Sequence, residues 1–143
     1  MKIKRLFELN KQIISKEFDE FTFILGKSSD VFDFFGVEEM HGLKKSECYD
    51  RPDNSYIAGL CNVYPNDHSK IFLFINEVRL GNDYKDVLLI MHETMHLSLQ
   101  LHGYNLEDGD LEEKVITWSE EMAEKIYQYL LKTSKIFYST NIL

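Results

Sequence analysis

Residues 84–101 read YKDVLLIMHETMHLSLQL, a stretch whose apolar side chains recur at helical spacing. Asn82 and Asp83, which precede it, are residue types that commonly cap the start of a helix. Gly103 follows as a residue type that commonly ends one. The pattern predicts a helix from about Tyr84 to Leu101. Four apolar residues indicate that it is half buried: Val87, Leu88, Met91 and Met95.

Residues 92–96 of this helix read HETMH, which matches the pattern HExxH. Side chains four residues apart lie on one face of a helix, so His92 and His96 can aim ring nitrogens at one ion. Neutral imidazoles are good zinc ligands, and zinc lowers the pKa of a bound water to about 7. Glu93 stands beside the first ligand, where it can take a proton from that water. We therefore predict a Zn²⁺ site with His92 and His96 as ligands and Glu93 as the general base.

A catalytic zinc usually has three protein ligands, so a third ligand must come from elsewhere. The last predicted helix, from Leu111 to about Lys132, places Glu112 near the middle of a broad apolar stripe. A carboxylate on a buried face needs a partner or a metal, which makes Glu112 the predicted third ligand. Two alternatives stay open: Glu113, towards the edge of the stripe, and His102, ten residues after His92. Glu112 also fits a position in the first turn of a helix, which the helix dipole favours for acids.

The rest of the chain predicts an α+β fold in one domain spanning residues 1–143. Helical spacing predicts a first helix over residues 6–18, and residues 21–25 read as a strand. Residues 28–35 predict a short helix that Gly36 ends. Residues 55–64 and 70–76 predict an antiparallel hairpin around the turn residues 65–67.

Composition argues against several classes of function. The net charge of -8 argues against binding nucleic acid, because counterion release needs clustered Lys and Arg. Val87 to Met91, an apolar run that no other run exceeds in length, is far shorter than the roughly 20 residues that cross a membrane. Two cysteines, Cys48 and Cys61, are too few for a secreted disulfide framework, and the start of the chain lacks a signal-peptide pattern. We expect a cytoplasmic protein without nucleic-acid or membrane partners.

The HETMH sequence, together with a glutamate on the next helix, resembles the gluzincin metallopeptidases. The resemblance is closest to the minigluzincins and the ImmA/IrrE-type peptidases, and it covers residues 71–131. It implies a small zincin-like domain with a short antiparallel sheet, an active-site helix and a long C-terminal helix. It also implies hydrolysis of a peptide or protein substrate. In that class the strand at Ile71 to Ile75 would edge the cleft and bind extended peptide by strand addition.

Two alternatives from other functional classes remain. The first is a non-catalytic module that uses a zincin scaffold to bind a peptide or partner protein. The second is a metal-dependent endoribonuclease, because His92, His96 and His102 have the spacing of the three-histidine endoribonucleases of rRNA maturation. In those nucleases a small residue usually stands where this chain has Glu93, and the acidic charge also disfavours RNA.

Overall fold

The structure, a computed structural model, describes the backbone of residues 2–6, 14–51, 54–80, 84–102, 109–133 and 137–141, and the side chains of residues 15–51, 54–80, 85–102 and 113–130. The strands and helices are, in chain order, β1 (Lys2–Leu6), β2 (Ile14–Glu17), β3 (Thr22–Gly26), α1 (Ser28–Phe35), β4 (Glu39–Met40), β5 (Leu43–Lys44), β6 (Asp50–Arg51), β7 (Asn54–Ser55), β8 (Gly59–Tyr64), β9 (Asp67–Asn76), α2 (Tyr84–His102), α3 (Gly109–Thr133) and β10 (Phe137–Asn141). The predicted α+β class is confirmed, as is the long C-terminal helix.

The chain forms two compact units. One, the sheet unit, comprises Leu9–Leu80, and the other, the helical unit, comprises Met1–Glu8 with Gly81–Leu143. The sheet unit is therefore inserted in the sequence between two parts of the helical unit. The organisation of residues 1–143 as one zincin-like domain stays a prediction.

The sheet unit contains a four-stranded sheet in the order β2-β3-β9-β8. The hairpin β8–β9 is antiparallel as predicted, and its turn falls at Pro65 and Asn66. β3, however, pairs with β9 in parallel, so the sheet is mixed where an antiparallel one was expected. Parallel neighbours need a long crossover, and the chain between β3 and β9 supplies one with α1 and the short strand pairs β4–β5 and β6–β7.

The predicted first helix is wrong over its described part. Residues 14–17 form β2, which pairs with β3, and Leu6 belongs to β1; residues 7–13 lie outside the described residues. In β2 the side chains of Ser15, Lys16 and Glu17 are exposed, as on the outer strand of a sheet. The edge of β3 offers backbone hydrogen bonds to this segment, and such tertiary pairing overrides a local helical pattern.

The strand at Ile71–Ile75 is not at an edge of the sheet. It belongs to β9, which pairs with β3 on one side and β8 on the other, so a peptide cannot add to it. This corrects the role that the family resemblance implied. The neighbouring strand β8 has one position blocked by side chains, because Val63 N–H donates to Asn62 Oδ1 at 2.8 Å and Val63 O lies 2.7 Å from His41 Nε2. Edge strands are commonly protected in this way.

One face of the sheet packs into an apolar core. Ile24, Phe72 and Phe74 are fully buried there against Val31 and Phe32 of α1. α1 begins at Ser28 as predicted and ends before Gly36, whose φ of 66° is the left-handed conformation that glycine adopts at low cost.

A buried polar cluster lies at the end of β9, formed by Ser28, Asp50 and Asn76. Asn76 Nδ2 donates to Asp50 Oδ1 at 2.6 Å and to Ile57 O at 2.8 Å. Ser28 donates to the Asp50 carboxylate from its backbone N–H, at 3.1 and 3.2 Å, and from Oγ at 2.7 Å. Ser28 and Asn76 are fully buried. The Ser28–Asp50–Asn76 cluster thus joins the start of α1, β6 and β9 through groups that bond to one another.

The helical unit is built on α2 and α3, which pack against each other in antiparallel orientation. Ser98 Oγ of α2 donates to Val115 O of α3 at 2.8 Å, early in α3, and the other end of α2 lies beside the later turns of α3. β10 pairs with β1, so residues 137–141 of the tail, which the sequence left unassigned, form a strand. Neither these helices nor α1 has a stretch, within the described residues, long and apolar enough to cross a membrane.

Candidate metal centre

His92 and His96 converge on one point beside α2. They stand one helical turn apart, and their Nε2 atoms are separated by 3.2 Å. Two nitrogens that bind zinc tetrahedrally at about 2.0–2.1 Å lie roughly 3.3–3.4 Å apart, so this separation suits a shared metal ion. The ring centroids are 4.7 Å apart and the ring planes meet at 82°, which lets both nitrogens point inward without the rings stacking. The pair therefore has the geometry of two ligands to one cation.

The two histidines are exposed, and Glu93 beside them is buried. Glu93 is 8% exposed, and burial raises the pKa of its carboxyl group, while the electrostatic influence of the neighbouring His92 and His96 rings lowers it. A carboxylate that is withdrawn from water binds a proton more strongly than one in bulk solvent. Glu93 is thus suited to accept a proton from a group held at the histidine pair.

The predicted third ligand, Glu112, belongs to α3, but its side chain lies outside the described residues. Among the side chains that the structure describes, no group of three or more His, Cys, Asp or Glu residues gathers closely enough to hold a metal. Glu113 and His102, the two alternatives, are both among those side chains. In the described geometry neither of them completes a three-ligand set with His92 and His96.

His102 is engaged elsewhere. Its Nδ1 lies 3.0 Å from Ser98 O and 3.4 Å from Ser98 Oγ, and its ring meets Trp118 edge-on at a centroid distance of 5.5 Å. Since a carbonyl oxygen only accepts hydrogen bonds, Nδ1 carries the proton in this contact. With about 100° per residue, His102 is turned roughly 80° from His92 and 120° from His96 around the helix. The three-histidine arrangement of the nuclease alternative is not formed here.

The histidine pair lies on a different face of α2 from the one that packs on α3. Ser98 and His102 contact α3, and each lies roughly 120° around the helix from His92 and His96 respectively. To contact an ion held by His92 and His96, a side chain of α3 would have to extend around α2 to its other face.

Three of the apolar residues that the sequence suggested were half-buried flanks are in fact exposed. Val87, Leu88 and Met91 have 39%, 56% and 43% of their surface accessible. The buried face of α2 instead carries Asp86, Ile90, Glu93 and Leu97. Residue type alone could not separate these faces, because α2 is apolar around most of its circumference.

Comparison of the chain with protein-family models, with curated proteins and with solved structures finds no match. The class of the site thus depends on its own geometry and chemistry. Those features are two converging imidazoles, one turn apart, with a buried carboxylate between them in the sequence.

Proposed function

We propose that this chain is a zinc-dependent peptidase of the HExxH type. His92 and His96 would hold the ion, Glu112 would be the third ligand, and Glu93 would be the general base. The observation that carries the proposal is the 3.2 Å separation of the two Nε2 atoms, which suits a shared tetrahedral ion. The fold class, with a small sheet and a long helix after the motif, is compatible with it.

When bound, zinc supplies a Lewis acid that polarises a carbonyl and lowers the pKa of water to about 7. The chain supplies the ligands and the proton transfer. His92 and His96 must present neutral Nε2 lone pairs, which leaves each proton on Nδ1. The carboxylate of Glu93 accepts a proton from the attacking water and returns it to the amine nitrogen that leaves the scissile bond.

Charge and exposure favour a peptide as the substrate. The chain carries a net charge of -8, which repels the phosphate backbone of a nucleic acid. Leu88, one turn before His92 on the same side of α2, is 56% exposed and can contact an apolar substrate side chain next to the site. We propose that the enzyme works in a reducing cytoplasm, where Cys48 and Cys61, which form no disulfide, would remain thiols.

The proposal can be tested by measuring zinc content and by digesting a peptide library. The wild-type chain should bind about one zinc per chain and cleave peptides. Glu93→Ala should keep the zinc and lose cleavage, whereas His92→Ala should lose both. Bound zinc with no cleavage by the wild type would instead support the non-catalytic binding module. Cleavage that persists in Glu93→Ala would exclude the proposed mechanism.

The third ligand needs a matched set of variants. Zinc affinity, measured by competition with a chromogenic chelator, should fall at least tenfold in Glu112→Gln and stay unchanged in Glu113→Gln and His102→Ala. Glu121→Gln on the exposed side of α3 is the control for loss of negative charge. A loss of affinity in Glu113→Gln or His102→Ala alone would reassign the ligand.

A further inference from the structure

A groove with apolar walls runs along the seam between α2 and α3. It encloses about 340 Å³ and is open to solvent. Val87 and Met91 of α2 line one side and Tyr127 of α3 the other, above the buried residues Ile90 and Ala123. A volume of this size is at the lower end of the roughly 300–1,000 Å³ typical of binding pockets.

The groove is separate from the metal centre. Val87 is turned roughly 140° and Met91 roughly 100° from His92 around α2, so both lie on a different face of the helix from the metal centre. With 39% and 43% of their surface accessible, they expose two large apolar side chains one turn apart. Contiguous exposed apolar surface of this kind commonly marks an interaction site.

The α3 side of the groove is acidic. Glu120 and Glu124 line it, and Glu113 lies on the same face of α3 about two turns before Glu120. All three carboxylates are exposed. No Lys or Arg side chain is among the described residues that line the groove. The groove thus combines an apolar floor with a negatively charged rim on one side.

We propose that this groove docks a basic amphipathic helix of a partner protein. A helix laid along the seam of two antiparallel helices buries its apolar stripe as in a helical bundle. Lys or Arg residues beside that stripe would meet Glu120 and Glu124. A second copy of this chain is a poor occupant, because it would bring two acidic rims together.

The test uses a fluorescein-labelled 18-residue Leu/Lys peptide that forms an amphipathic helix, and the full chain. Two control peptides replace either every Lys with Glu or every Leu with Ser. Fluorescence anisotropy should show binding of the Leu/Lys peptide at least tenfold tighter than binding of either control, and weaker binding at higher salt. Equal binding of the Leu/Lys and Leu/Glu peptides would overturn the proposal.

Two sets of variants locate the binding surface. Val87→Ser/Met91→Ser should weaken binding at least tenfold, while Tyr49→Ser, a change at a similarly exposed apolar side chain outside the groove, should not. Glu120→Gln/Glu124→Gln should weaken binding about fivefold and reduce its salt dependence, with Glu121→Gln as the charge-matched control. Circular dichroism shows whether each variant is folded. If Val87→Ser/Met91→Ser unfolds, the peptide affinity of Glu120→Gln/Glu124→Gln tests the proposal. Equal effects of groove and control variants would overturn the proposal, as would self-association that Met91→Ser abolishes.

Discussion

Two polar clusters of this chain differ in how their hydrogen-bonding groups are used. In the Ser28–Asp50–Asn76 cluster, donors and acceptors meet one another and the backbone at 2.6–3.2 Å in the interior of the sheet unit. In the HETMH cluster, His92 and His96 face each other at 3.2 Å on an exposed surface of the helical unit. A cluster whose polar groups hydrogen-bond to one another stabilises the fold. Exposed histidines whose ring nitrogens converge on one point can instead bind an ion.

The largest expected effect comes from breaking the hydrogen bonds of the Ser28–Asp50–Asn76 cluster. Asn76→Ala removes the Nδ2 donor to Asp50 and Ile57 O and the Oδ1 acceptor of Val78 N–H. Leaving such buried groups unpaired should lower the free energy of unfolding by about 3 kcal/mol. Urea denaturation measures this change, and Asn66→Ala at an exposed turn position is the control. A loss below about 0.5 kcal/mol would mean that the cluster contributes little to stability.

The next prediction concerns zinc binding at the HETMH cluster. Zinc at 100-fold above its Kd should raise the free energy of unfolding of the helical unit by about 2.7 kcal/mol, because only the folded chain holds both histidines together. His96→Ala should abolish the gain, and magnesium, which prefers oxygen ligands, should not produce it. Thermal unfolding with and without zinc measures the effect. Equal stabilisation of the wild type and His96→Ala would place the zinc elsewhere.

A smaller effect, on KM, is expected from Leu88, which lies next to the HETMH cluster. Leu88→Ser removes apolar surface beside His92 and should raise KM for an apolar peptide about fivefold, which corresponds to about 1 kcal/mol. Stability should change little, because Leu88 is 56% exposed. Steady-state kinetics separate KM from kcat, and Leu88→Met should restore KM. A fall in kcat alone would contradict a role in substrate contact.

The smallest predicted effect concerns the alkylation rate of Cys48, whose thiol is influenced by Asp50 of the Ser28–Asp50–Asn76 cluster. Burial raises the pKa of its thiol, and the Asp50 carboxylate adds to this, while Lys45 opposes it. A raised pKa leaves less thiolate at a given pH, so alkylation at pH 8 should be slower than for N-acetylcysteine. Peptide-level mass spectrometry follows Cys48 separately from Cys61. Faster alkylation than that of N-acetylcysteine would contradict the predicted shift.

The parts of the molecule that sequence predicts well are those fixed by local spacing. The bounds of α2 and the convergence of His92 and His96 follow from the helical repeat. The parts that it misses depend on distant partners. β2 forms because β3 offers an edge, and Ser28, Asp50 and Asn76 come together across up to 48 positions of sequence. The exposure of Leu88 likewise depends on which side of α2 is covered, which its residue type does not indicate.

The central position of β9 also bears on how this chain withstands misfolding. The run Ile71–Ile75 reads IFLFI, five apolar residues with high strand propensity and no charge, the kind of segment that stacks into cross-β fibrils. In the native fold both of its edges are occupied, by β3 and β8. Any event that separates those strands releases an aggregation-prone segment, so this chain should form insoluble deposits once its sheet opens.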